Sequence, residues 1–250
     1  CWGRRPPSSS PIKEATIAAI SNNYSHDCSN RGLPELRRIL ADKLKRENGL
    51  DYDPDSEIIV TFNGAEALNN SVLSFTGPGD EVIVPTPAFL SYKDLVNFAG
   101  ADFVDVPLKA EDGFQLNAEE IEKAVTPRTK MIIINNPNDP SGAVYTRQTL
   151  EKVAALAVKH DLLALSDEMY SRLVYDGTEF IAIASLPGMK ERTIVVAGFS
   201  KTYAMTGWRL GYMAADKKLC DWLIKCHSTP PPPLPHSSSR DWWTLWRTPR

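Results

Sequence analysis

Five segments of the chain place reactive side chains directly after short β-rich runs. Met131-Ile132-Ile133-Ile134 is followed by Asn135-Asn136-Pro137-Asn138-Asp139-Pro140-Ser141-Gly142, a rigid turn dense in polar groups. Leu162-Leu163-Ala164-Leu165 runs into Ser166-Asp167-Glu168-Met169-Tyr170. Thr193-Ile194-Val195-Val196 leads to Ala197-Gly198-Phe199-Ser200-Lys201-Thr202, with Thr206-Gly207-Trp208-Arg209 just beyond. Glu57-Ile58-Ile59-Val60-Thr61 precedes Phe62-Asn63-Gly64-Ala65-Glu66, which reads as a helix start, and Glu81-Val82-Ile83-Val84 precedes Pro85-Thr86-Pro87-Ala88-Phe89. Singly, each segment has an ordinary explanation. The Asn-Pro pairs are turn chemistry, Asp167-Glu168 are first-turn acids, Lys201 is solvated surface, Gly64 a turn residue and Phe89 core. Collected, an acid, a phenol, an amine, a guanidinium, a hydroxyl, an aromatic ring and a glycine-containing helix start suit an anionic, aromatic, carbonyl-bearing cofactor.

Such a set needs a scaffold that brings strand ends together. Further strand signals lie at Asp102-Phe103-Val104-Asp105-Val106 and Leu210-Gly211-Tyr212-Met213-Ala214. Several runs are continuously apolar, as expected of strands covered on both faces. Between them lie helical patterns. Pro34 suits a first helical position, with Leu36, Ile39, Leu40 and Leu44 on one face. Asn117 can cap 118–125, and Leu150, Val153, Ala154, Leu156 and Ala157 stripe a helix running toward His160. Strand and helix alternating this often predict an α/β fold, a three-layer α/β/α arrangement around a mostly parallel seven-stranded sheet. Ligands of such sheets bind beyond the carboxyl ends of the strands, where the five segments lie. The expected organisation is an irregular stretch over 1–11, one domain over 12–226, and an aperiodic Pro/Trp-rich tail over 227–250 outside the fold. That tail carries Pro230 to Pro233, Trp242, Trp243 and Trp246, and its alternative reading is a polyproline ligand.

The chain has 250 residues, 42% of them hydrophobic, enough for a sizeable core. With 28 Lys+Arg against 31 Asp+Glu and a net charge of −3, it lacks the basic excess of a nucleic-acid binder. No apolar stretch approaches a membrane span, and the first residues lack the apolar segment of a secretory signal, so the expected location is cytoplasmic. Cys1, Cys28, Cys220 and Cys226 are too scattered for a disulfide scaffold. His26 and Cys28, adjacent Cys226 and His227, and the isolated His160 and His236 match no zinc pattern, so no metal is expected.

The segments Gly32-Leu33-Pro34-Glu35-Leu36-Arg37, Pro78-Gly79-Asp80-Glu81-Val82, Pro85 to Phe89, Asn135 to Gly142, Asp167 to Tyr170, Phe199 to Thr202 and Gly207-Trp208-Arg209 together resemble the class I/II aminotransferases. These are fold-type-I pyridoxal-phosphate enzymes, and the resemblance covers roughly Pro11 to Leu223. It implies a Schiff-base lysine at Lys201 that also moves the substrate proton. It further implies a pyridine-nitrogen partner at Asp167 and a hydrogen bond from Tyr170 to the phenolic oxygen of the cofactor. Arg209 and Ser200 are implied as phosphate ligands, joined by the backbone amides of Gly64 and Ala65, with Phe89 stacked on the ring. Tyr24 is implied to reach the phosphate across a homodimer interface. Three positions depart from the family pattern. Asp139 stands where Asn normally donates to the phenolic oxygen, Gly198 where Ser contacts phosphate, and Asn63 where Gly is usual. The last is the milder change, because Asn tolerates the left-handed region. The small domain that supplies a substrate-carboxylate arginine is expected to be largely missing. The implied reaction is transfer of an amino group between an amino acid, aspartate-type or broad, and a 2-oxo acid. Two alternatives stay open: a pyridoxal-phosphate C–S β-lyase on the same scaffold, and a non-catalytic binding module.

Overall fold

The computed structural model describes residues 9–24 and 26–229. Among them the elements are α1 (Ser10–Ser21), α2 (Pro34–Asn48), β1 (Ile58–Thr61), α3 (Gly64–Phe75), β2 (Glu81–Thr86), α4 (Ser91–Phe98), β3 (Asp102–Pro107), α5 (Ala118–Ala124), β4 (Thr129–Asn135), α6 (Arg147–Lys159), β5 (Leu163–Asp167), β6 (Thr193–Gly198), β7 (Gly211–Ala214) and α7 (Lys217–Ser228). The strands form one seven-stranded sheet in the order β1-β7-β6-β5-β4-β2-β3. All pairings are parallel except those of β7, which runs antiparallel to both β6 and β1.

The continuously apolar runs are explained by apolar clusters on both faces of the sheet. Alternate strand residues Ile59, Val84, Met131, Ile133, Leu165, Ile194, Val196 and Met213 point into a layer shared with α3, α4 and α7. On the other face Ile83, Ile132, Ile134 and Ala164 meet α5 and α6, while Ile58, Val195 and Tyr212 meet Leu40 and Leu44 of α2. A strand buried on both faces has no polar alternation to show. Helix starts follow side-chain chemistry: Asn117, Thr146 and Asp216 each accept an amide hydrogen bond from the first turn of α5, α6 and α7, respectively. Pro34 opens α2 and Gly49 closes it in the left-handed region, at φ 68°.

Two boundaries differ from expectation. Helix α1 begins at Ser10, inside the stretch expected to be irregular, with Pro11 in its first turn where a missing N–H costs nothing. Helix α7 continues through Ser228, past the expected boundary at 226, and its side chains Cys220 and Leu223 are fully buried. Residues 1–8 and the tail over 230–250, with its polyproline reading, lie outside the described residues. No helix among the described residues is long and apolar enough to cross a membrane.

Candidate active site

Helix α3 links edge strand β1 to β2 across the four strands between them in the sheet, and it contacts β5, β6 and β7 on the way. Its start therefore lies beside the carboxyl ends of the central strands. A cavity of about 220 Å³ opens there. It is lined by every expected site residue except Tyr24: Gly64 and Ala65 from α3, Phe89 after β2, Asp139 after β4, Asp167 and Tyr170 at the end of β5, and Ser200, Lys201 and Arg209 after β6. Tyr24 lies outside this cavity and is 77% exposed.

Asp167 forms the buried end. Its Oδ2 accepts the Tyr92 hydroxyl at 2.7 Å and its Oδ1 accepts the Met169 amide at 3.1 Å. The Asn135 side-chain amide and the Asn136 backbone amide both donate to its carbonyl, at 3.1 and 3.0 Å, fixing the strand end. Burial pushes the carboxyl's pKa up, against the Tyr92 and Met169 donors; Asp139 adds to the rise and Lys201 opposes it. A buried carboxylate with so few donors retains capacity for a further N–H or cation on its cavity side.

Asp139 departs from the family pattern, and the structure shows what it does here. Tyr170 Oη donates to Asp139 Oδ2 at 2.9 Å, while Asn135 Oδ1 accepts the Asp139 amide at 2.6 Å. Lys201 Nζ lies 5.1 Å from the Tyr170 ring centroid. The Tyr170 hydroxyl is held above its ordinary pKa, first by burial, with Lys201 lowering and Asp139 raising it.

The cavity also carries helix-start groups and a second cation, Arg209. Gly64 and Ala65 are the first residues of α3, where backbone N–H groups have no intrahelical acceptor. Asn63 was expected to be tolerated for its left-handed freedom; that reason is overturned. Its backbone is extended, at φ −168°, and its Oδ1 instead caps the helix by accepting the Glu66 amide at 2.8 Å. Glycine is required one strand away: a Cβ on Gly211 would lie 2.6 Å from the Asn63 carbonyl carbon and 2.7 Å from the Gly64 nitrogen. Gly198 is packed against Met169 and the Leu210 carbonyl, so a serine Cβ there would sit within 3.1–3.2 Å of both. Arg209 adopts a left-handed backbone, φ 54°, its Nη1 donating to the Thr206 carbonyl at 2.7 Å. A non-glycine residue held in that region costs energy that surrounding structure must supply, a pattern concentrated at ligand clamps. Phe89, 37% exposed, meets Tyr92 edge-on at 5.7 Å.

Tyr92 and Asn135 are the site residues that sequence reasoning missed. Tyr92 sits on the apolar side of α4 and reads as core, which it also is. Asn135 had a usable signal, as the first polar residue after an apolar run.

The class I and II aminotransferase family matches residues 7–230. The chain is 46% identical over 214 residues to the aspartate aminotransferase of Pyrococcus abyssi, covering 86% of this chain and 55% of that protein. It is 45% identical to aromatic-amino-acid aminotransferase 2 of Thermococcus litoralis, with the same coverage of 86% and 55%. The solved aromatic aminotransferase from Pyrococcus horikoshii superposes with a TM-score of 0.87 at 44% identity, over 89% of this chain and 59% of that one. The chain thus spans about half the length of the relatives it matches. On this match and on the fold, the chain belongs to the class I and II aminotransferases, a pyridoxal-phosphate-dependent family.

Proposed function

We propose that the chain carries the cofactor-binding half of an enzyme that moves an amino group from an aspartate-type or broad range of amino acids to a 2-oxo acid, using pyridoxal 5′-phosphate. The supporting observation is the single cavity that holds the Lys201 amine, the buried Asp167 carboxylate, the Tyr170 phenol and the Arg209 guanidinium. The residues present fit the cofactor. Asp167 lacks a cationic partner at the buried end and would hold a protonated ring nitrogen; Arg209, Ser200 and the start of α3 would hold the phosphate. Phe89 would cover the ring, and Tyr170 and Asp139 would face its phenolic oxygen. When bound, the cofactor supplies an electron sink for charge developing at the substrate Cα.

The roles of the chain's own groups follow from their placement. Lys201 places its amine in the cavity, where it would hold the cofactor through its aldehyde carbon and, when free, would accept the proton from the substrate Cα. Burial raises the Asp167 pKa, so a protonated nitrogen beside it would favour its ionised form. Tyr170 donates to Asp139, which leaves its oxygen able to accept from Lys201. Tyr24 is assigned to the phosphate of a second copy in a homodimer, which agrees with its exposure in the single chain. The cytosol is the assigned compartment, supported by the free thiols Cys28, Cys220 and Cys226 among the described residues.

The test is covalent. Incubated with pyridoxal phosphate, the chain should develop a visible band that borohydride fixes as an adduct on Lys201, located by peptide mass mapping. Labelling of another lysine, or none at saturating cofactor, overturns the reading.

A further inference from the structure

The last turn of α7 reaches back to the first turn of α3. His227 Nδ1 lies 3.0 Å from Glu66 Oε1, and Asn70 Nδ2 lies 3.5 Å from the same nitrogen. Glu66 Oε2 accepts the Phe62 amide at 2.5 Å while the Glu66 amide donates to Asn63, a reciprocal cap on the helix start. The pair is largely enclosed: the side chains of His227 and Glu66 are 15% and 21% exposed. Glu66, on α3, is the charged group at the imidazole; the Asn30 backbone contributes from the loop before α2, and the Asn30 side chain donates to Ser228 Oγ at 3.1 Å. On the same loop and helix, Arg31 and Asp221 pair with each other at 3.9 Å.

Resting on the anion site read above, we propose that His227 is a positioning residue for the cofactor phosphate, acting by neutralising Glu66, two residues from Gly64, and by locking the first turn of α3. An acid in the first turn of a helix is ordinarily favourable. Glu66 lies just outside the cavity lining, two residues from Gly64, so to a phosphate held at the helix start it would be a second negative charge, repulsive unless a cation screens it. The imidazolium supplies that cation from α7. The hydrogen bond to Glu66 holds the His227 pKa up, against burial. On Glu66 burial works the other way, yet the bonds from His227 and Phe62 hold its carboxyl below its usual value. The pair is therefore neutral below the imidazole's titration and carries one negative charge above it. Phosphate affinity falls as pH rises through that titration.

The experiment compares binding of pyridoxal phosphate and of pyridoxal, which has no phosphate, to the full chain across about pH 5.5 to 8.5 by absorbance titration. At the acid end His227→Ala should weaken the phosphate form roughly three- to ten-fold. The gap should close as pH rises, because the wild-type imidazole then loses its charge. Pyridoxal binding should be unchanged. Adding Glu66→Gln to His227→Ala should restore affinity, since the charge that needed screening is gone; a merely structural role would not be rescued this way. Equal affinities for wild type and His227→Ala at every pH, or an equal loss for both ligands, overturn the proposal. Arg209→Ala separates the two levels. If it lowers affinity for the phosphate form while His227→Ala does not, the proposal alone fails; if it is silent too, the anion-site reading falls with it.

Discussion

Two buried carboxylates stand at opposite ends of one sheet: Glu81 opens β2 and is 4% exposed, while Asp167 closes β5 and is 5% exposed. Their surroundings differ. Glu81 accepts the hydroxyls of Thr126 and Thr129 at 2.5 and 3.1 Å and meets Arg128 at 2.5 Å; Arg128 continues to Asp102 at 2.8 Å. Asp167 has one phenol and one amide on its carboxylate, and a cavity on its other side. A saturated acid belongs to the architecture. An acid buried at comparable depth but left short of partners is held ready for something else, and burial raises its pKa until that partner arrives.

Substitutions can sharpen that contrast or dissolve it. Asp167→Asn should produce the largest change, weakening pyridoxal phosphate roughly 10- to 100-fold by removal of a charge-assisted hydrogen bond. The unliganded chain should melt no earlier than wild type, because an amide is less costly to bury than a carboxylate. Absorbance titration and thermal melts check both; an unfolded variant, or one that binds normally, would put Asp167 in the same class as Glu81. Glu81→Ala should do the reverse, losing about 2–3 kcal/mol in urea unfolding as Thr126 and Thr129 lose their acceptor. Its cofactor affinity should stay unchanged.

The smallest effect is expected from Glu168, which follows Asp167 but faces α2, where Ser166 Oγ and Asn48 Nδ2 donate to it at 3.1 and 3.0 Å. Burial pushes its pKa up from 4.5 to about 7, so the folded state holds a proton that the unfolded state releases. Stability is then fullest below the unfolded value and declines as pH rises through about 7. Glu168→Gln should be more stable than wild type by about 1–2 kcal/mol near pH 8, with the difference gone below about pH 4. A pH-independent difference in thermal melts would show that the carboxyl does not titrate in this range.

Much of this contrast was written in residue order. Lys201, Asp167, Tyr170 and Arg209 stand just after apolar runs, and a doubly wound sheet collects such positions at one rim. The groups that complete the site were hidden for physical reasons. Tyr92 serves the core and the carboxylate with the same side chain, so its spacing on α4 reports only the first. His227 follows the buried positions of α7 but adjoins a proline run, and the composition beyond it masked the helical pattern of Leu219, Cys220, Leu223 and Ile224. Asn63 suggests backbone freedom by its residue type, whereas its side chain does the capping from an extended backbone.

Strand β1 has a single neighbour, β7, and the paired residues Ile58 and Ala214 are about 150 positions apart in the chain. At the 5–20 residues per second of translation, β1 would wait roughly ten to thirty seconds on the ribosome before its partner emerges. During that interval the start of α3 has no β7 to lie against, and Gly211 is not yet there to pass beneath it. The anion-binding corner is thus among the last parts of the sheet to form, because the α3 start, made early in this stretch, waits for β7 and for Ser200 and Arg209. Nascent chains that stop before about residue 214 should expose an unpaired apolar strand, a natural target for chaperone capture, and lack a competent cofactor site.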